Sequence, residues 1–413
     1  MRAELLRVFG RIGLLSFGGP AAQIALMHKE LVEIRNWLTE PQFLRALSFC
    51  MLLPGPEAMQ LATYAGWKRQ GIIGGLIAGG LFVLPGAVVI ALLALTYATY
   101  GNLPLVQALF LGVKATVVII VIQALIRMSR RALQRRTHLF IAIAAFVALF
   151  IFALPFPLLI CIAALIGATQ PDGEADPPLA TQGQFRRSLW VVLFGGLIWG
   201  APLLILALLQ HDFLLDVGQF FSTLAVVTFG GAYAVLAYMT QAVVLQYGWI
   251  STAQMLDALG LAETTPGPLI LVTQFVAMIA GQAQGGIGLA LLAGALALWV
   301  TFVPCFIWIF AGAPLIDWLE GRPRLRAALA AVTAAVVGVI GNLSLWFALH
   351  VFFGTVTSIR WGAVTTSAPM LSTLQPAAIA LAGIAAILLL WRRWPLPAVL
   401  LMTALLGGLL SLR

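Results

Sequence analysis

Ser16-Phe17-Gly18-Gly19-Pro20 is followed, thirty-seven residues after Phe17, by Pro54-Gly55-Pro56, and both motifs return as Thr228-Phe229-Gly230-Gly231 and Pro266-Gly267-Pro268 at the same separation. Laid on one another without a gap, residues 16–56 and 228–268 agree at fifteen of forty-one positions, Trp37 with Trp249 and Gln42 with Gln254 among them. A skewed apolar composition alone gives roughly a tenth, so the chain carries an internal duplication. In each copy the glycines and prolines sit in the middle of apolar runs, where they interrupt a helix.

Composition sets the class. With 62% hydrophobic and 9% charged residues and a mean hydropathy of +1.04, the 413 residues cannot clothe a soluble surface. The chain reads as an all-α polytopic membrane protein. The N-terminus carries Arg2, Arg7 and Arg11, but no small-residue cleavage site stands before Ser16-Phe17-Gly18-Gly19, so no removable signal peptide is expected. Cys50, Cys161 and Cys305 lie far apart in apolar runs and offer neither a metal spacing nor a disulfide framework. The net charge of +9 falls in loops between spans, where membrane orientation accounts for it and nucleic acid is not needed.

The copies extend beyond the motifs. Interrupted segments at 5–27 and 43–65 are followed by spans at 71–99 and 104–126, each with the roughly 20 apolar residues a crossing requires. An arginine-rich loop comes next (Arg127, Arg130, Arg131, Arg135, Arg136), then an apolar stretch, 139–168, folded into a tight hairpin at Pro155-Phe156-Pro157. A hydrophilic linker with Asp172, Glu174, Asp176, Arg186 and Arg187 leads into one connecting span, 189–210. The second copy has interrupted segments at 217–239 and 254–280 and spans at 286–312, 327–349, 374–391 and 395–411. Pro85 matches Pro304 at an offset of 219 rather than 212, which places seven extra residues after the second Pro-Gly-Pro. The organisation expected is a first repeat over 1–170, linker and connecting helix over 171–212, and a second repeat over 213–413.

Loop charges invert between the copies. The five arginines of 127–138 face only Arg360 in 350–373, and Lys68 and Arg69 in loop 66–70 face a neutral 281–285. Conversely, the neutral Gly101-Asn102-Leu103 matches a loop carrying Arg322, Arg324 and Arg326. Opposite positive-inside bias in similar halves is the mark of inverted-topology repeats. Counting the interrupted segments as crossings gives about thirteen spans, with the N-terminus in the cytoplasm; counting them as re-entrant gives nine.

Irregular backbone at membrane depth survives only when buried in protein or lining a cavity. Each break therefore starts a half-helix whose amides and positive dipole end point into the membrane, a setting suited to a small anion. The candidate substrate-binding residues are Phe17, Gly18, Gly19, Pro20, Pro54, Gly55 and Pro56 with their partners Phe229, Gly230, Gly231, Pro266, Gly267 and Pro268. Gln23 and Gln60 join them as hydrogen-bond donors from the first turns of the half-helices, with helix packing as the bland alternative. Lys114, in mid-span opposite a neutral Thr333, is a substrate-attracting charge or half of a structural ion pair. Glu57 caps a half-helix or carries protons, and Glu263, His28 and Glu30 are further proton-coupling candidates, each with an ordinary structural reading beside it. Trp37 and Trp249 read as interfacial anchors.

Ser16-Phe17-Gly18-Gly19-Pro20, Gln23-Ile24-Ala25-Leu26-Met27-His28-Lys29-Glu30, Met51-Leu52-Leu53-Pro54-Gly55-Pro56-Glu57-Ala58-Met59-Gln60-Leu61-Ala62 and Phe82-Val83-Leu84-Pro85-Gly86 resemble the chromate ion transporter family, and the second-copy motifs resemble its second domain. The resemblance covers essentially the whole chain in the long two-domain form. It implies a bacterial inner-membrane exporter of chromate, driven by the proton motive force and conferring resistance. No cofactor or metal is expected. Sulfate, an isosteric dianion, stays open as substrate, as do an anion channel and a homodimer. A membrane enzyme is disfavoured, since no nucleophile, base and orienter assemble, and the chain lacks a Gly-x-x-x-x-Gly-Lys-Ser/Thr loop for ATP.

Overall fold

A computed structural model describes residues 2–170, 182–229, 232–316, 322–361 and 364–411. Gly230 and Gly231 of the third break and the linker acids Asp172, Glu174 and Asp176 lie outside the described residues. The helices of the first copy are α1 (Arg2–Leu15), α2 (Gly19–His28), α3 (Glu40–Leu52), α4 (Glu57–Tyr100), α5 (Pro104–Ala132), α6 (Arg136–Phe150) and α7 (Phe156–Ala168). Then come α8 (Gln182–Leu208), α9 (Asp212–Val227), α10 (Ala232–Thr240), α11 (Thr252–Thr264), α12 (Val272–Gly312), α13 (Pro323–Phe352), α14 (Pro376–Ala386) and α15 (Leu396–Ser411). Five stretches among the described residues are long and apolar enough to cross a membrane: Glu57–Tyr100, Pro104–Ala132, Gly183–Leu208, Leu269–Leu315 and Pro323–Phe352. The chain is an all-α polytopic membrane protein, with the hairpin of α6 and α7 turning at Pro155 as its sequence requires.

The duplication is visible element by element at the offset of 212. The breaks fall after Leu15 and Val227, π-helical turns follow at Lys29–Ile34 and Gln241–Gln246, and α3 and α11 begin and end in register. Their N-termini repeat one device. Thr39 and Gln42 exchange backbone and side-chain hydrogen bonds in a capping box, as do Ser251 and Gln254, which explains why Gln42 and Gln254 agree.

Three expectations change. Residues 66–70 and 281–285 are not loops: α4 and α12 run through to kinks at Gln70 and Gly71 (φ −142° and 62°) and at Gly285 and Gly286 (φ −157° and 75°). A glycine with positive φ at each kink lets two arms fold side by side with no connecting loop. Gly66 makes this approach close, since a Cβ there would stand 2.3 Å from the Gly74 carbonyl oxygen. The seven extra residues also divide. Three are a 3₁₀ turn, Leu269–Leu271, which has no counterpart before Glu57 and moves the start of α12 to Val272; the other four lie between the kink glycine and the helix proline, Gly71 to Pro85 in α4 and Gly286 to Pro304 in α12, about one helical turn. Finally, 350–373 is not bare loop. It holds an antiparallel hairpin, β1 (Val356–Trp361) with β2 (Val364–Pro369), in which Val356 pairs with Pro369 and Ser358 with Ser367.

The helices assemble into two compact units, each drawing on both copies. The first comprises Met1–Ala98, Gly173–Ala232 and Thr265–Pro323; the second comprises Thr99–Asp172, Tyr233–Thr264 and Arg324–Arg413. In the first, α12 packs on α8 and α9, and the indole of Trp199 donates to the Val300 carbonyl at 3.0 Å. In the second, α5 packs on α14, α15 and α11, and the Thr116 and Thr403 hydroxyls meet at 2.7 Å where Gly112 lies against the α15 backbone.

Candidate functional site

The four breaks belong to the first unit, and they are joined in crossed pairs. The Gly267 amide donates to the Ser16 carbonyl at 2.9 Å, and the Gly55 amide donates to the Thr228 carbonyl at 2.8 Å. Ser16 and Thr228 are repeat equivalents, as are Gly55 and Gly267, so exchanging the two copies exchanges the two bonds. That reciprocity is the signature of a local pseudo-two-fold axis through the breaks. The hydroxyl groups repeat as well: Ser16 Oγ donates to the Ile12 carbonyl at 2.5 Å, and Thr228 Oγ1 donates to that of Leu224. Each hydroxyl bonds back to the carbonyl four residues earlier, in the last helical turn before the break.

Glutamines close what remains. Gln23 is 1% exposed, and its Nε2 donates to the Gly267 carbonyl at 2.7 Å and to the Ser16 carbonyl at 3.2 Å. Gln60 is fully buried and donates to the Pro54 carbonyl at 2.7 Å, while its Oε1 meets no donor among the described residues. Both are therefore braces of the breaks, placed by Pro20 and Pro56, which fix the directions in which α2 and α4 set out. Gly18 (φ 86°), Gly19 (φ 76°), Gly55 (φ 117°) and Gly267 (φ 90°) all occupy the left-handed region, which side chains resist.

The amides differ in availability. Those of Gly55 and Gly267 are taken by the crossed carbonyls. The amides of Gly18 and Gly19 meet no backbone acceptor among the described residues, the N-cap Gly18 supplies no side chain, and a Cβ on Gly19 would find nothing within 4 Å. Phe17 beside them is 40% exposed. Glu57 opens α4 and lies close enough to Cys50 to act on it electrostatically.

The second unit brings together charges that the sequence reading kept apart. Lys114 Nζ lies 2.8 Å from Asp257 Oδ1, the lysine side chain 12% exposed and the aspartate 0%. Glu263 Oε1 accepts from the Tyr233 hydroxyl at 2.9 Å, and Arg127 reaches both electrostatically. Asp257 and Tyr233 are the residues that sequence reasoning missed. The signal for Asp257 was a lone carboxylate inside the apolar run Met255-Leu256-Asp257-Ala258-Leu259.

His28 and Glu30 lie where α2 gives way to the charged stretch 28–40. The Glu30 carboxylate is held by Arg35 and, at 3.5 Å, by Arg11, while the Trp37 ring carries Arg69 over its face at 4.9 Å. His28 bridges two carboxylates, with Nδ1 at 3.0 Å from Glu33 and Nε2 at 2.6 Å from Glu40. The hydrogen bond to Glu40 raises the imidazole above its ordinary 6.5, against an opposing effect of burial. A raised folded value stabilises the protein fully below pH 6.5, and that stability is lost as pH rises through the folded value. Wild-type melting temperature is therefore expected to fall as pH climbs from 6.5, and His28→Gln should flatten that slope. An unchanged slope in the variant would place the titration elsewhere.

The chain matches the family model described as chromate transporter over residues 3–168 and 215–409. It is 30% identical to a chromate transport protein of Pseudomonas aeruginosa, over 83% of this chain and 80% of that one. Against a chromate transport protein of Cupriavidus metallidurans the identity is 29%, over 82% of this chain and 80% of the other. An uncharacterized transporter of Methanocaldococcus jannaschii is 24% identical over 83% of both chains. No solved structure is a significant match.

Proposed function

This chain belongs to the chromate transporter family, and from that premise we propose that it is a secondary active transporter that exports chromate across the bacterial inner membrane, coupled to the proton motive force and conferring chromate resistance. The observation that carries the reading is the reciprocal pair of hydrogen bonds at the breaks. Paired broken helices on a pseudo-two-fold axis are the arrangement from which secondary transporters build a midplane site, and rocking one repeat against the other then gives alternating access. The open space at the Gly19 amide, at the dipole end of α2, is the place for an oxyanion. Glu57, Glu263, His28 and Glu30 are the carboxylate and imidazole groups available to carry protons.

Radiolabelled chromate uptake into everted vesicles tests this directly. Uptake that collapses with the proton gradient and is not abolished by excess sulfate supports the reading. Flux that runs only downhill and ignores pH would replace the transporter by a channel, and sulfate that fully outcompetes chromate would replace the substrate. Orientation has its own test. Cysteine labelling should find the arginine-rich segments 127–136 and 322–326 both cytoplasmic and 101–103 periplasmic. Arginine loops on opposite faces would end the inverted-repeat topology.

A further inference from the structure

On the transport reading, the pair formed by Lys114 and Asp257 has a role of its own. Helices α5 and α11 come close where Gly260 meets Val113, at a spacing that would leave an added Cβ 2.7 Å from Val113 Cγ1. That approach lets Lys114 reach the fully buried Asp257 carboxylate at 2.8 Å. The lysine is not sealed in. Its remaining exposure opens on a cavity of about 340 Å³ whose wall includes Gln107, Ala108, Leu111, Ala377 and Gly407.

An ion pair within apolar helices is an expensive way to hold them together, since well-packed apolar residues do it at least as well. The duplication argues the same point. At the repeat positions of Lys114 and Asp257 stand Thr333, whose hydroxyl donates to the Leu329 carbonyl at 2.8 Å, and Arg45, on an exposed part of α3. The repeat thus forms its helices once with this pair and once without it. An ammonium has three donors, and one carboxylate does not use them all.

We propose that Asp257 is a resident counter-anion for Lys114, and that a free tetrahedral oxyanion entering the cavity takes the ammonium from it. The carboxylate holds the cation ready when the cavity is empty. It repels the incoming dianion once that anion has bound, and so sets a limit on affinity that favours release. Neutralising Asp257 should tighten binding and slow turnover, whereas neutralising Lys114 should remove the site.

The measurement is equilibrium binding of radiolabelled chromate to the purified full chain in maltoside micelles free of phospholipid, paired with transport in proteoliposomes. Asp257→Asn is expected to lower Kd about tenfold, equivalent to ~1.4 kcal/mol, and to reduce turnover. Lys114→Met should lose the binding component that Asp257→Asn tightens, while an anion held at Gly19 is unaffected. The double variant Lys114→Met/Asp257→Asn leaves no orphan charge, so it should recover the folded yield of the wild type and still lack that binding component and not transport. A folded Asp257→Asn protein with unchanged or weaker affinity would overturn the proposal, as would a double variant that transports like wild type, which would make the pair structural. Phosphatidylglycerol that displaces chromate competitively would assign the cavity to a lipid headgroup and also overturn it. If wild type binds no chromate but Asp257→Asn tightens sulfate, the substrate reading fails and this site stands.

Discussion

Valine at Gly55 is expected to remove folded protein from the membrane, and alanine there to leave a strongly destabilised one. At φ 117° any side chain strains the backbone, and a Cβ would stand 2.8 Å from Cys305 Sγ and 3.0 Å from Gln60 Nε2. Backbone strain of about 1–3 kcal/mol and overpacking of similar size together consume much of a typical domain's stability. Gly267 should be milder, because the atom it meets, Leu271 Cδ1 at 3.0 Å, is the mobile end of a side chain. Gly19 separates stability from binding. With nothing within 4 Å, Gly19→Ala should cost only its backbone strain, about 1 kcal/mol, while placing a methyl group where the anion is proposed to sit. Thermal melting of the purified variants beside chromate binding decides this. The order Gly55 worst, Gly267 next and Gly19 least should hold for melting, with Gly19→Ala losing more affinity than stability. Gly80, likewise with open space around it, serves as the helical control, whereas Gly408, 3.1 Å from Leu109, does not. Equal affinity in wild type and Gly19→Ala would move the anion away from α2.

Most of the architecture was legible because the duplication writes each device twice. A break at Gly18 alone could be a kink, but the same break after an ungapped 212 residues marks a device used twice; the element ends, such as the start of α3 at Glu40 rather than 43, were not read from it. What stayed hidden depends on distance in space. Nothing in Pro-Gly-Pro says that its glycine amide will find a carbonyl in the other copy, since that bond joins residues 251 apart for Ser16 and Gly267 and 173 apart for Gly55 and Thr228. Lys114 drew attention as a lone cation, but its partner could not be chosen from spacing. The π-helical turns escaped because an extra residue per turn has no composition signal, and 66–70 read as loop because Lys68 and Arg69 looked like its natural content. The β-hairpin was closer to hand. Val356-Thr357-Ser358-Ile359 and Val364-Thr365-Thr366 carry the β-branched residues of strands, outweighed by the apolar surroundings.

Gln23→Leu should be the most damaging substitution that leaves every backbone angle alone. Its carboxamide alone serves both carbonyls of one crossed pair, Gly267 at 2.7 Å and Ser16 at 3.2 Å, and it is buried where water has little access. A buried carbonyl deprived of its donor costs about 1–3 kcal/mol, and here two lose one at once. The Ser16 carbonyl keeps the Gly267 amide as a second donor, so the expected loss lies nearer that of one carbonyl than of two. The second copy offers no relief, since the position equivalent to Gln23 is Val235. Gln274→Leu is the comparison: Gln274 Nε2 donates to the single Ala87 carbonyl at 3.0 Å, not to a carbonyl of either crossed pair, and should cost stability with less effect on transport. If the braces hold the breaks in register, Gln23→Leu lowers transport per folded molecule as well as melting temperature, and Gln23→Glu recovers part of both at acidic pH, where a protonated carboxyl again donates. A leucine variant with normal transport per folded molecule would show that the crossed backbone bonds alone hold the site.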